Sequence, residues 1–261
     1  MNVTHLVPDF LKVPFRRPYW AAIGLLYRSH LALQYRLPKV IAPLFCPVCG
    51  VGLRRFKVIA WGDTACVFCD GSERRRLAWS FLLRCTDLLD GRLKSMLHIA
   101  PERPFEVALS KLLGAGYVSA DLLKPNVRVR VDITHLPFPN DSFDVVLCSH
   151  VLEHVQDDLQ AMQEFTRVLK LRGWALIMVP HFPEIGKTFE DPSVTDPAER
   201  LKLFGQEDHV RVYGDDFVSR LQNAGFEVRV MRSADFLSQK DIARFNITPL
   251  SGDIFLCTKR G

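Results

Sequence analysis

The chain predicts an α/β fold: a largely parallel sheet with helices on its faces, and a small cysteine module ahead of it. Three observations carry this. From Met96 onward, short apolar β-prone runs alternate with helical patterns. One run, Phe143-Asp-Val-Val-Leu-Cys148, passes into residues spaced three or four apart (Leu152, Val155, Leu159, Met162, Phe165, Val168, Leu169), which is half of a βαβ unit. Two Cys-x-x-Cys pairs, Cys46/Cys49 and Cys66/Cys69, precede the first of these strands.

With 261 residues the chain can bury one large α/β domain and still carry a small module. A hydrophobic content of 48% with 24% charged residues is that of a globular protein, which argues against disorder. The net charge of +5 is gathered in the first third by Arg16-Arg17, Arg54-Arg55 and Arg74-Arg75-Arg76, so an anionic partner or a solvated basic face are both open. The start lacks a secretory-signal pattern, and the apolar stretch from Pro18 to Tyr27 is too short to span a bilayer. Paired cysteines suit a reducing compartment, so the expected location is cytoplasmic.

Taken in order, residues 1–41 form an apolar segment. Trp20 to Leu37 has helical potential, although Arg28, His30, Gln34 and Arg36 share no face. The segment is expected to pack on the main domain or on a second copy, as a homo-oligomer; peripheral membrane contact is the other reading. Residues 42–72 hold the cysteines. Sixteen residues separate Cys49 from Cys66, a zinc-ribbon spacing, and each Cys-x-x-Cys turn can present two sulfurs to one tetrahedral ion. With Cys46, Cys49, Cys66 and Cys69 as ligands no position stays open, so a bound Zn2+ is structural. A redox pair and a nucleic-acid-binding ribbon are the alternatives.

Residues 73–261 make the main domain. Ser72 is the expected N-cap of a helix whose first turn carries Arg74, Arg75 and Arg76, against the helix dipole. Their counter-charge is expected from Glu73, Asp87 or Asp90, or from a phosphate-bearing substrate. Strands follow at Met96 to Ala100, Tyr117 to Asp121, Val127 to Val131, Phe143 to Cys148, Trp174 to Val179, Phe226 to Met231 and Ile254 to Cys257. A helix at about Phe105 to Leu113 follows the first, and a helix capped by Asp215 precedes the sixth. The third and sixth strands alternate in polarity, as edge strands do, whereas the first, fourth, fifth and seventh are almost wholly apolar and belong inside the sheet.

The run from Val131 to Val155, VDITHLPFPNDSFDVVLCSHVLEHV, resembles the central motifs of class I S-adenosylmethionine-dependent methyltransferases, nearest to the type 11 branch. The resemblance covers about residues 93–261. It implies a Rossmann-like seven-stranded sheet of order 3-2-1-4-5-7-6 with strand 7 antiparallel, which agrees with the polarity pattern. It implies S-adenosyl-L-methionine as co-substrate, with Asp121 (and Leu122 beside it) at the ribose and Asp132-Ile133 at the adenine; both aspartates also suit turn caps. The first loop departs from the family. His98-Ile-Ala100-Pro101-Glu102 replaces an acid followed by glycines, similar to a subset with an HxAPE-type loop and an N-terminal cysteine module. Glu102 is then the expected partner of the cofactor amino group.

Ligands in open α/β sheets sit at the carboxyl ends of strands, which places Ser149 at the cofactor and His150 and His181 as candidate bases. His154 is expected to be structural. Residues 180–214 read as a substrate lid whose acids (Glu184, Glu190, Asp191, Asp196, Glu199, Glu207, Asp208) favour a cationic acceptor, with His209, Arg211 and Tyr213 leading back to the fold. Within it, Asp196-Pro197 begins a short helix and Gly205 ends it. Three functions follow. The first is methyl transfer to a small-molecule acceptor, such as a sugar or lipid-linked intermediate. The second is RNA methylation, with the ribbon and the arginine run holding phosphates, a reading weakened by the lack of interleaved aromatics. The third is a non-catalytic scaffold with a degenerate cofactor loop.

Overall fold

The structure is a computed structural model that describes residues 36–38 and 42–260. The expectations for residues 1–35 lie outside these. Seven strands build the main sheet: β1 (Met96–Ile99), β2 (Tyr117–Asp121), β3 (Val129–Arg130), β4 (Phe143–Ser149), β5 (Leu169–Met178), β6 (Phe226–Met231) and β7 (Ile254–Lys259). Their order is 3-2-1-4-5-7-6, with β7 antiparallel to both β5 and β6 and the β1–β2, β1–β4, β2–β3 and β4–β5 pairs parallel. The expected topology is the observed one.

The period-two pattern of the central strands sends their side chains to two cores. Leu97, Ile99, Val146, Cys148 and Ile177 face helices α3 (Asp158–Val168) and α5 (Phe217–Asn223). Met96, Val145, Leu147 and Leu176 face α1 (Glu73–Cys85), α2 (Arg103–Leu113), α6 (Ser233–Phe236) and α7 (Gln239–Phe245). A fully buried Leu or Ile contributes about 1.5–3 kcal/mol, so this double-sided burial is the main stabilising element of the sheet. The edge assignments hold as well, because β6 buries only Phe226 fully and β3 buries neither residue.

Several boundaries differ from the sequence expectation. β3 pairs over Val129–Arg130 alone: the Val131 amide already turns to the Asp121 carbonyl. β5 starts early, at Leu169, and reaches the expected register at Trp174 through a bulge. Arg172 takes φ 65° there, and a Cβ on Gly173 would lie 2.8 Å from the Lys170 carbonyl oxygen, so glycine is required. Leu152–His154 is a single 3-10 turn, and α3 begins only at Asp158, where Asp157 accepts the Gln160 amide. The residue preceding α5 is Asp216, not Asp215, and its carboxylate is taken by the Thr188 amide and hydroxyl. Ser72 occupies the cap position of α1, but its hydroxyl makes no capping bond.

In the cysteine module, Leu44–Cys46 and Val51–Leu53 form a hairpin that Arg36–Leu37 joins, so the end of the expected Trp20 to Leu37 helix is extended. Arg76 fastens this module to the main domain. Wholly buried, it donates to the carbonyls of Thr64 and Gly71 on the module side and of Phe245 and Asn246 on the other.

Candidate functional site

The carboxyl ends of β1, β2 and β4 finish level with one another, since Ile99 pairs with both Ala120 and Cys148. The next residues therefore share one edge: Ala100 to Glu102, Asp121 and Ser149, with Ser149 paired to Met178 of β5. Ala100 adopts φ 49°, a left-handed conformation, and its amide donates to the Ala120 carbonyl. The loop thus keeps a left-handed turn without a glycine, at the cost of backbone strain.

Each expected residue has a definite place. Asp121 Oδ1 accepts the amides of Leu123 and Lys124, while Lys124 Nζ stands 3.7 Å from Oδ2 and also donates to the Pro101 carbonyl. Leu122 is half exposed beside it. Asp132 Oδ1 accepts the Thr134 amide and hydroxyl, which hold its carboxyl below the usual range, and Ile133 is buried. His98 is buried between Phe105 and Tyr117, its Nδ1 2.8 Å from the Tyr117 hydroxyl, and burial pushes its pKa down to about 4. Its ring is therefore neutral.

Glu102 resolves the arginine run. Its Oε1 accepts from Arg75 Nε at 2.8 Å and Arg74 Nη2 at 3.1 Å. Burial raises its pKa, but the two guanidinium groups outweigh that and hold the carboxyl below its ordinary value. The expected counter-acids were Glu73, Asp87 and Asp90. Instead Glu73 binds Thr64 and Thr248, while Asp87 and Asp90 hold Lys94. Glu102 Oε2 is buried with no hydrogen-bond partner, which leaves one oxygen for a cationic group.

The two candidate bases differ. His150 follows β4 with φ 54°, its Nδ1 3.4 Å from Glu153 Oε1. His181 pairs through Nδ1 with Asp253 Oδ2 at 3.1 Å, and its Nε2 is buried without a partner. A carboxylate that accepts Nδ1–H fixes the imidazole with a free lone pair on Nε2, the arrangement a general base needs. Asp253 is held ionised by His181 and Arg232.

The 180–214 segment is stitched to the domain by groups that sequence reasoning treated singly. Phe189–Glu190 pairs antiparallel with Arg211–Val212, and His181 bridges to Tyr213. Helix α4 (Pro197–Phe204) starts with Asp196 accepting the Glu199 amide and ends at Gly205 in the left-handed region, as expected. Buried Asp158 accepts from Tyr213 and Arg220, and Glu190 accepts from Arg211 and Arg220. Glu190 is thus neutralised internally and does not serve a cationic acceptor. Five exposed apolar side chains, Phe182, Ile185, Phe189, Leu201 and Leu203, remain on this segment.

The cysteine sulfurs converge: Cys46 and Cys69 Sγ are 3.6 Å apart, and Cys49 and Cys66 Sγ 3.7 Å. Zinc–sulfur bonds of about 2.3 Å in a tetrahedron require sulfurs about 3.8 Å apart, so the four cysteines are compatible with zinc. Gly50 and Asp70 take left-handed conformations after their respective knuckles, and a Cβ on Gly71 would press on Cys69 Sγ at 3.2 Å. A groove of about 980 Å3 lies between these knuckles and α2, lined in part by Lys57, Arg103 and Lys111.

Residues 113–177 match a family described as a methyltransferase domain. The chain is 32% identical over 126 residues to the "Uncharacterized methyltransferase YcgJ" of Bacillus subtilis, covering 48% of this chain and 42% of that protein. It is 28% identical over 136 residues to the "Ubiquinone/menaquinone biosynthesis C-methyltransferase UbiE" of Haemophilus ducreyi, covering 47% and 50%. The chain therefore spans half or less of these relatives' length. A solved S-adenosylmethionine-dependent methyltransferase from Mesorhizobium loti matches at 18% identity and a TM-score of 0.44, over 70% of this chain and 96% of that one. The family match and the relatives support a class I methyltransferase domain, with S-adenosylmethionine the donor the family implies.

Proposed function

We propose that this chain, which carries a methyltransferase domain of the S-adenosylmethionine-dependent type, transfers a methyl group to a small-molecule acceptor. Its cysteine module would hold a structural zinc, as in the subset with an HxAPE-type loop. The observation that carries the reading is the level edge formed by Ala100 to Glu102, Asp121 and Ser149 at the ends of three parallel strands. The donor supplies a methyl group on a sulfonium, a leaving group that needs no further activation.

The chain's own residues bind, orient and take up a proton. Asp121 would accept from the ribose hydroxyls through Oδ2, Asp132 from the adenine amino group, and Glu102 Oε2 from the ammonium. The half-exposed Leu122 would lie beside the ribose. The bound donor would supply the methyl group to a lone pair of the acceptor, and His181 Nε2, set by Asp253, would take up the acceptor's proton. Most of the rate comes from in-line placement of the acceptor.

The RNA reading draws less support, because two arginines of the run are engaged by Glu102 and the third is buried. The test is calorimetric titration of S-adenosylhomocysteine into the zinc-replete protein. Saturable micromolar binding that Asp121→Ala weakens at least tenfold supports the reading. The absence of heat and of thermal stabilisation would favour the scaffold.

A further inference from the structure

We propose that Glu153, His154 and His209 form a second metal site, for a divalent first-row transition ion, separate from the four cysteines. One ligand-capable atom from each of the three lies within 4.8 Å of the others. Glu153 is 1% exposed, and neither carboxylate oxygen has a hydrogen-bond partner. His209 is 5% exposed, and its Nε2 also has none. A buried carboxylate and a buried imidazole facing one another with three unpartnered polar atoms are costly unless something occupies the space between them.

The surrounding bonds aim these groups as ligands. His209 Nδ1 lies 3.1 Å from the Phe204 carbonyl, which accepts its proton and leaves the lone pair on Nε2. His154 Nδ1 lies 3.2 Å from Asp208 Oδ2, so its Nε2 is likewise left as the donor atom. Metal-bound histidines are oriented by such carbonyl or carboxylate partners. The two rings stand edge to face with centroids 4.7 Å apart.

The backbone is fixed to match. The Val210 amide donates to the Glu153 carbonyl at 2.9 Å, bringing distant stretches of the chain side by side. Buried Arg211 donates to the carbonyls of Leu152, Val155 and Gln156 and so clamps the turn carrying Glu153 and His154. His150 Nδ1 lies 3.4 Å from Glu153 Oε1. A donor there serves one oxygen and still leaves the other oxygen and His209 Nε2 unserved.

Two imidazoles and one carboxylate, without sulfur, suit Zn2+, Mn2+, Fe2+ or Co2+. Three protein ligands leave coordination positions open for an exchangeable oxygen ligand. The inference rests on these donors alone and stands whether or not the chain transfers methyl groups.

The test counts metal on the full-length chain with its cysteine site loaded with zinc. The protein is incubated with Zn2+, Mn2+ or Co2+, freed of excess ion by gel filtration, and analysed by plasma mass spectrometry. The expected result is a second ion per chain, lost in Glu153→Gln and in His209→Ala while the cysteine-held zinc stays. With Co2+, the second ion shows visible d–d absorption without the thiolate charge-transfer band. A wild-type chain that never takes up more than the cysteine-held ion overturns the proposal, as does a second ion that survives both substitutions. If Glu153→Gln fails to fold, His154→Asn, at a partly exposed ring, carries the same comparison.

Discussion

Arg76 offers a sharp test of how the cysteine module is held. Its guanidinium makes five hydrogen bonds of 2.7–2.9 Å, four to backbone carbonyls and one to Thr64 Oγ1, and it stacks on Phe56 at 3.9 Å. Burial lowers its pKa, the sign of a charge held at a desolvation cost. Arg76→Ala removes the charge and takes the Arg76 donor from the carbonyls of Thr64, Phe245 and Asn246, each worth about 1–3 kcal/mol when buried and unsatisfied, while Gly71 still accepts the Cys66 amide. The recovered desolvation of the guanidinium offsets part of that sum. The net loss from the unsatisfied carbonyls is about 3 kcal/mol. Arg76→Lys cannot reproduce the fork and should retain less than half of the stabilisation. The assay is urea unfolding at fixed free zinc, followed by tryptophan fluorescence and far-UV circular dichroism. A loss below about 1 kcal/mol for Arg76→Ala would refute the view that this side chain joins the two parts.

Three further outcomes are expected. His98 has its folded pKa lowered from 6.5 to about 4, so the unfolded chain takes up the proton first and stability falls as pH drops from 6.5 toward 4. The total is about 3 kcal/mol, and His98→Gln flattens that part of the pH–stability curve measured by urea unfolding. Chelation of zinc, or Cys66→Ser, should lower the melting temperature by several degrees and expose the knuckle thiols to a thiol reagent. Asp158→Ala leaves Arg220 and Tyr213 without their buried acceptor and should cost about 3 kcal/mol in the same unfolding assay, whereas exposed Asp196→Ala costs about 1 kcal/mol through its lost cap.

The parts of the fold written as local pattern were readable in advance. Phe143 to Cys148 and Met96 to Ile99 are apolar on both faces, and both became central strands. Their polarity, set against that of the third and sixth strands, was enough to place the edges. Boundaries set by single backbone bonds were not readable: β3 shrinks because the Val131 amide leaves the ladder, and β5 lengthens through the bulge at Gly173. At the site, Asp121 and Ser149 could be placed because strand ends have fixed positions in a known sheet. The engagement of Glu102 by Arg74 and Arg75 could not be, since nothing local links residues 27 and 28 positions apart. The closeness of Glu153 to His209 was hidden for the same reason. The one available signal was a glutamate between two histidines (His150, Glu153, His154) with a further histidine within residues 180–214.

The contact between Arg75 and Glu102 has a thermodynamic consequence. Arg75 also donates from Nη1 to the Asp70 carbonyl, so one guanidinium grips both the second cysteine knuckle and the loop after β1. Any occupant that tightens one end of this grip shifts the other, and such coupling is reciprocal by linkage. If zinc orders the knuckle and so sharpens donor binding by some factor, donor binding must slow the escape of zinc or speed its capture by that same factor in the equilibrium constant. The protein would then act as a gauge in which metal occupancy and donor occupancy each report on the other.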